Sequence, residues 1–319
     1  MTHTIAVMTV PFTKMHGAGN DFVCLDGIAE PGLAARDDLG ELAGAMCDRR
    51  TGIGGDGLLL ISAPDAGPDL PAGNAVRMRM FNADGTESSM CGNGVRCVAK
   101  YVVDRGLAAP GDDGLLFIQT GAGVMAVSCR SDSGDPSRGI VSVTVDMGRP
   151  VLDLDLIPVE RSMLAGGRGG DRGPIYAFDA AGMRHEAVFV SMGNPHAVIH
   201  VTDVQRIDLA AIGPTLEHHP AFGQRMNIHF VEVIGPTEVV MRTWERGSGI
   251  TGACGSGACA VCVAGVLARR TGSSLLAHLP GGDLELQWNG PGSPVLMTGP
   301  AAEVFSGRWP VATALQTAR

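Results

Sequence analysis

Long apolar runs are missing from this chain, and so are clusters of basic residues. The apolar stretches fall well short of a bilayer span, so no transmembrane helix is expected. Formal net charge is −9 with no basic stripe, which leaves no electrostatic footprint for nucleic acid. Aromatic residues make up only 4% of the chain against 45% hydrophobic overall, so an aliphatic core is expected. The N-terminus, Met1 to Met8, has neither a basic segment nor a cleavable apolar one, which reads as cytosolic. Eight cysteines in 319 residues are too few for a secreted disulfide scaffold. No C-x2-C pair is matched by a second such pair or by H-x3-H, so zinc is not expected. Cys254, Cys259 and Cys262 have the C-x4-C-x2-C spacing of a plant-type iron–sulfur cluster. The fourth cysteine that such a cluster needs further along is absent, because none follows Cys262.

Glycine is what the chain has in excess. There are 46, about twice the ~7% average, and two groups of them follow a cysteine. Cys91-Gly92-Asn93-Gly94 and Cys254-Gly255-Ser256-Gly257 lie 163 positions apart. Arg79-Met80-Phe81-Asn82 and Arg242-Thr243-Trp244-Glu245 repeat at the same 163-residue offset. Gly19-Asn20-Asp21 and Gly193-Asn194-Pro195-His196 form a further echo. Such self-similarity is the mark of a duplicated architecture. If the two halves face each other about a pseudo-twofold axis, the two thiols meet across a cleft.

Each cysteine turn runs into an apolar segment long enough for a buried helix: Val95 to Val103, and Ala258 to Ala268 followed by Arg269-Arg270. Cys91 and Cys254 therefore sit at helix starts. Unpaired amides and the helix dipole favour negative charge there, which lowers a thiol pKa from about 8.5 toward roughly 3.5–7.5. The same amides suit a substrate carboxylate. One thiolate removing an α-proton and one thiol returning a proton to the opposite face would invert a stereocentre, with no cofactor. Two such thiols would also join as a disulfide on oxidation, so activity is expected to need a reductant.

Elsewhere, strands are expected at Val10–Met15, Phe22–Asp26, Leu58–Ile61, Arg77–Phe81, Leu115–Val127, Gly139–Met147, Ala187–Met192, Asn227–Val233, Glu238–Trp244, Leu284–Trp288, Val295–Thr298 and Ala302–Phe305. A helix is expected over Leu39–Arg49. Loops are expected at 16–21, 62–75, 131–138 and 165–173. Thr51 to Gly57 is a glycine loop with no helix after it, which argues against a phosphate cradle. Strands outnumber helices, which predicts an α/β (α+β) chain of two β-rich halves, each wrapped round a central helix.

Taken in order, these motifs resemble diaminopimelate epimerase. The likeness runs through Phe12-Thr13-Lys14-Met15-His16-Gly17-Ala18-Gly19-Asn20-Asp21-Phe22, Phe81-Asn82-Ala83-Asp84-Gly85, both cysteine turns, Gly193-Asn194-Pro195-His196, Glu245-Arg246-Gly247 and Met297-Thr298-Gly299-Pro300-Ala301. The resemblance implies two pseudo-symmetric domains, 1–136 with 301–319 returning to it, and 137–300. It implies Cys91 and Cys254 as base and acid, with His196 and Glu245 tuning proton transfer. It implies that Gly92, Asn93, Gly255 and Ser256 hold the reacting carboxylate through their amides. Asn20, Asn82, Asn194, Asn227, Glu245 and Arg246 would bind the rest of diaminopimelate. No cofactor or metal is implied. A homodimer is, with Phe305 at its interface, in a cytoplasmic enzyme of lysine and peptidoglycan precursor synthesis. Two positions depart from the pattern: Gly57 stands where some members carry a glutamine, and Ile250 where an acid is expected. Another two-cysteine racemase, acting on proline for instance, is the nearest alternative. Arg246 and the asparagines favour a substrate with a second amino-carboxylate end.

Overall fold

The computed structural model describes residues 8–66, 70, 74–133, 135, 139–167 and 174–311. The chain divides into two compact units, Met1–Val141 with Ala301–Arg319, and Ser142–Pro300. The boundary expected between 136 and 137 lies outside the described residues, as do parts of the loops expected at 62–75, 131–138 and 165–173.

In chain order the elements are β1 (Met8–Gly17), β2 (Asn20–Asp26), α1 (Pro31–Ala34), α2 (Leu39–Cys47), β3 (Gly57–Ser62), β4 (Ala75–Asn82), β5 (Glu87–Ser88), α3 (Gly92–Asp104), β6 (Leu115–Thr120) and β7 (Gly123–Ser131). There follow β8 (Ile140–Asp146), β9 (Ala165–Gly166), β10 (Tyr176–Ala180), β11 (Met183–Ser191), β12 (Pro195–Val201), α4 (Leu209–Glu217), β13 (Asn227–Gly235), β14 (Glu238–Glu245), β15 (Gly249–Thr251), α5 (Gly255–Leu267), β16 (Ser274–Leu279), β17 (Gly282–Trp288), β18 (Val295–Pro300) and β19 (Ala302–Val311). β19 pairs with β1 in the first unit.

The duplication seen in the sequence is a duplication of strand pairing. In the first unit β1–β2 is antiparallel, β2–β3 parallel, β3–β4 and β4–β5 antiparallel, β4–β6 parallel and β6–β7 antiparallel. In the second, β11–β12, β12–β13, β13–β14, β14–β15, β14–β16 and β16–β17 repeat that series term for term. The registers then fix equivalent positions. Phe22 faces Gly57 where His196 faces Asn227. Asn20 thus corresponds to Asn194, Gly57 to Asn227 and Asn82 to Glu245.

In the first unit α3 touches β1, β2, β3, β4, β6 and β7; in the second α5 touches β11, β12, β13, β16, β17 and β18. A sheet whose first and last strands reach the same helix has curled around it. This central position explains the composition of α5. Residues Gly257 to Gly265 are all buried, so every face must be apolar and the strands pack close. A methyl carbon added to Gly265 would overlap Thr271. In α3 the buried Lys100 is tolerated because its Nζ donates to Asp104, 2.7 Å away, and to the Ile140 carbonyl.

The expected single strand over Leu115–Val127 is instead a hairpin, β6 and β7. It turns at Gly121-Ala122, and Gly123 takes φ 128°, a conformation open to glycine. The expected loop over 16–21 shrinks to the two-residue turn Ala18-Gly19, both at positive φ, as the hairpin between β1 and β2 requires. The sequence does not signal α1, β5, β9, β10, β12, β15, β16 or α4; the turn expected at Gly193–His196 runs straight into β12. α4 carries Gly213 and Pro214 in mid-helix, which suppresses any helical signal. The Asp208 side chain caps it by accepting from the Ala211 N–H. The buried core is largely aliphatic, as expected. Phe178, Phe189 and Phe222 cluster in the second unit at centroid separations of 5.3–6.3 Å.

One titratable contact ties three strands of the second unit. His278 on β16 has Nδ1 2.8 Å from Asp283 on β17 and Nε2 2.8 Å from Glu238 on β14. The bond to Asp283, then that to Glu238, raises its pKa. Its contribution is complete below the unfolded value of about 6.5 and is lost as pH rises through the higher folded value. His278→Ala should lower the melting temperature more at about pH 5.5 than at about pH 9. Equal losses at both would contradict the assignment.

Candidate active site

In the first unit, Cys91 is the N-cap of α3. Its backbone is extended (φ −148°, ψ 111°), so the side chain folds back over the first turn and accepts from the Gly94 N–H at 3.4 Å. The Gly92 and Asn93 amides open the helix, where N–H groups have no carbonyl one turn earlier. Beside the thiol lies Asn20, at the start of β2. Its Oδ1 accepts from Asn93 Nδ2 at 3.2 Å and lies 3.9 Å from Cys91 Sγ. Its Nδ2 donates to Asp56, which fixes the way round of the carboxamide. Asp56 is held in turn by Arg49 at 2.7 Å and by the Asp21 N–H at 3.0 Å. Burial would raise the Asp21 pKa, but the bonds from Arg49 and Lys14 bring it down to about 2. Asn82, at the end of β4, donates to Thr86 Oγ1 at 2.9 Å.

In the second unit, Cys254 caps α5 with the same extended geometry (φ −129°, ψ 101°). Here the thiol meets an acid. Burial, and then the neighbouring Glu245 carboxylate to which it hydrogen-bonds, push the Cys254 pKa well above the ordinary thiol range. Glu245, at the end of β14, also accepts from Thr251 Oγ1. Ser256 Oγ lies 3.9 Å from Cys254 Sγ. Asn227 is buried; its Nδ2 donates to the Pro195 carbonyl at 2.8 Å and its Oδ1 accepts from the Arg246 N–H at 3.0 Å. It thereby joins the Asn194-Pro195 turn to the Glu245-Arg246 turn. Arg246 is exposed and donates to the Gln224 carbonyl at 3.1 Å. Asn194 Oδ1 lies 2.9 Å from His196 Nε2, and His196 Nδ1 lies 2.9 Å from His229 Nε2. Burial, then His229 and Arg246, hold the His196 pKa well below the usual imidazole range.

The sequence-derived residues thus fall into two groups, one round each capped helix. Asn20, Asn93 and Cys91 come together in the first unit. Asn194 and His196 come together in the second, as do Asn227 with Arg246 and Glu245 with Cys254. Asn82 makes its side-chain bond within its own turn. His229, Thr251, Asp56 and Glu217 were missed. Glu217, on the unanticipated α4, accepts from Trp244 Nε1 at 2.7 Å and from the Gly247 N–H at 3.0 Å, so it brackets Glu245 and Arg246. His229 was legible in principle: it lies two residues beyond Asn227 on β13, and alternate strand residues share a face.

The two departures look different in three dimensions. Gly57 is a close approach, because an added Cβ would stand 2.6 Å from the Phe81 carbonyl oxygen. A longer residue there would need the backbone to move. Ile250, on β15 opposite Trp244, is 52% exposed. All eight cysteines are free thiols. Cys24, Cys47, Cys97, Cys259 and Cys262 are buried packing residues, while Cys129 is half-buried. Among the described residues no three potential ligands converge on a metal position, and no helix is long and apolar enough to cross a membrane.

The family model described as diaminopimelate epimerase matches residues 12–152 and 188–304. A diaminopimelate epimerase of Desulforudis audaxviator is 47% identical over 300 residues, covering 93% of this chain and 98% of the relative. Among solved structures, a hydroxyproline epimerase from Agrobacterium vitis, bound to trans-4-hydroxy-L-proline, superposes with a TM-score of 0.62. It is 12% identical, covering 96% of this chain and 94% of that one. A Bacillus anthracis phenazine biosynthesis protein of the PhzF family gives 0.61 at 14% identity, covering 95% and 100%. At such identities these two likenesses speak to the fold alone.

Proposed function

Because the chain belongs to the diaminopimelate epimerase family, we propose that it is an isomerase converting LL-2,6-diaminopimelate to the meso form by proton exchange at one α-carbon, without a cofactor. The observation that carries this reading is the repeat of one device in both units: a helix capped by an extended cysteine, with glycine at the third helical position.

The two thiols are not chemically equal, and the difference supports distinct roles. Cys91 Sγ accepts from the Gly94 amide at a helix N-terminus, which stabilises a thiolate. Cys254 is buried against a carboxylate that takes its proton as a hydrogen bond, which favours the neutral thiol. In the LL-to-meso direction Cys91 removes the α-proton and Cys254 delivers one to the other face. In reverse the roles exchange. The amides of Gly92, Asn93, Gly255 and Ser256 receive the carboxylate, whose charge grows as the carbanion forms. Glu245 holds the Cys254 proton until it is delivered. His196 is kept neutral by burial and adds no cation beside the Asn194 carboxamide.

Asn20, Asn82, Asn194, Asn227, Glu245 and Arg246 select a substrate with a second amino-carboxylate end. Arg246 supplies the fork that fits a carboxylate. The protein works as a cytoplasmic homodimer in lysine and peptidoglycan precursor synthesis. Exposure supports Phe305 as the dimer contact: it is 47% exposed on β19 and packs edge-on to Phe12 at 5.9 Å.

A substrate panel tests the reading. Turnover of LL-diaminopimelate, with proline and lysine inert, is the expected result. Rapid racemisation of a monofunctional amino acid with diaminopimelate untouched would overturn it.

A further inference from the structure

Beneath the first turn of α5 lies a buried polar chain that the other unit lacks. Thr243 Oγ1 is 3.0 Å from His229 Nδ1. His229 Nε2 is 2.9 Å from His196 Nδ1, and His196 Nε2 is 2.9 Å from Asn194 Oδ1. Both imidazoles have no exposed surface, and Thr243 is buried. The His229 ring lies hard against the helix, where a methyl carbon on Gly257 would overlap it.

The strand registers identify the same three positions in the first unit. Phe22 corresponds to His196, Leu59 to His229 and Met80 to Thr243. These residues are buried too. Leu59 even stands where His229 does, with its Cδ2 3.0 Å from a carbon built on Gly94. An apolar trio therefore supports a capped helix in this topology. Burying two imidazoles and a hydroxyl costs free energy unless every polar atom is paired, so support of the helix does not account for them.

Their bonding pattern does. A neutral imidazole has one donor and one acceptor nitrogen. Asn194 presents its carbonyl oxygen to His196, so His196 Nε2 carries the proton and Nδ1 accepts. His229 Nε2 must then donate, and its Nδ1 accepts from the Thr243 hydroxyl. Each link has one polarity, and the chain ends on the carboxamide of Asn194.

We propose that His229 is a positioning residue: it sets the tautomer of His196 and so holds the Asn194 carboxamide with its NH2 group turned outward, as a donor to the carboxylate at the second, non-reacting end of the substrate. The last clause rests on the epimerase reading; the tautomer order does not. Both rings stay neutral because they are buried; the Arg246 charge adds to this at His196, and the α5 N-terminus lies beside His229.

The test uses the full chain with 15N-labelled histidine. Long-range 1H–15N spectra should show His196 and His229 as neutral Nε2–H tautomers from about pH 5 to about pH 8. His229→Leu should mix the His196 tautomers and raise KM for LL-diaminopimelate about tenfold, the loss of one hydrogen bond to a charged group, with kcat within about threefold. His229→Gln, whose amide N–H can replace Nε2–H, should restore both the tautomer and KM. His229→Asn, which reaches only toward Thr243, should not. An Nδ1–H tautomer at His196, protonation within that pH range, or an unchanged tautomer and KM in both the Leu and Asn variants would overturn the proposal. Correct tautomers in a protein that turns over no diaminopimelate would remove the substrate role of Asn194 and refute the epimerase reading, while the proton order would stand.

Discussion

Alanine in place of Cys91 or Cys254 is expected to lower kcat for epimerisation by about 10²–10⁴-fold each, the usual worth of a positioned acid or base. Folding should barely change. Neither side chain is a large apolar group. Cys254 makes no side-chain cap bond to its helix, so its loss puts about 1 kcal/mol or less at stake, while Cys91→Ala also gives up the bond from the Gly94 N–H, worth about 0.5–2 kcal/mol. The two variants should differ in kind. With Cys254 gone, Cys91 still removes the α-proton of the LL isomer and returns one to the same face. Cys254→Ala should therefore exchange that proton with heavy water much faster than it forms the residual meso product. Cys91→Ala should neither exchange nor invert the LL isomer. The double variant should be no worse than the weaker single one, because residues acting as a unit are not additive. Loss of activity that merely tracks a lower melting temperature would argue for a structural role instead.

Gly257→Ala should destabilise the protein and impair catalysis together. Alanine normally improves on glycine in a helix by up to about 1 kcal/mol. Here the new carbon overlaps the His229 ring, and His229 is pinned by bonds to His196 and Thr243. Overpacking costs about 1–3 kcal/mol, so the net effect is destabilising. Movement of the ring also breaks the link to Asn194, and activity should fall together with stability. Gly94→Ala is the control built into the duplication. Its new carbon meets the end of a Leu59 side chain at 3.0 Å, and a leucine methyl can rotate away. That variant should stay within about 1 kcal/mol of the parent. Equal losses at Gly94 and Gly257 would show that His229 is not rigidly held.

Much of this layout was legible in the sequence because the duplication is written twice. Both central helices announced themselves: a cysteine, a glycine-rich turn and an apolar run, 163 residues apart, leave little else for the segments to be. The offsets also put Asn20 with Asn194 and Asn82 with Glu245 before any register was known. What stayed hidden had no echo or carried a misleading one. His229 corresponds to Leu59 in the other unit, so comparison of the halves passes over it. α4 hides behind Gly213 and Pro214, yet it delivers Glu217 to Trp244 and Gly247. β6 and β7 read as one strand because their hairpin turns on two residues. Gly57 reads as a lost glutamine until its contact with the Phe81 carbonyl shows that the backbone leaves no space for a side chain.

The central claim is that two sulfurs divide one proton transfer, one removing and the other delivering. The direct measurement is the fate of solvent deuterium in the first few per cent of conversion of LL-diaminopimelate in heavy water, followed by NMR. The meso product should carry one deuterium at the inverted α-carbon, while the remaining LL substrate stays fully protiated. Deuterium entering the LL pool as fast as meso product forms would mean that a single group serves both faces, and the assignment of Cys91 and Cys254 to separate roles would fail.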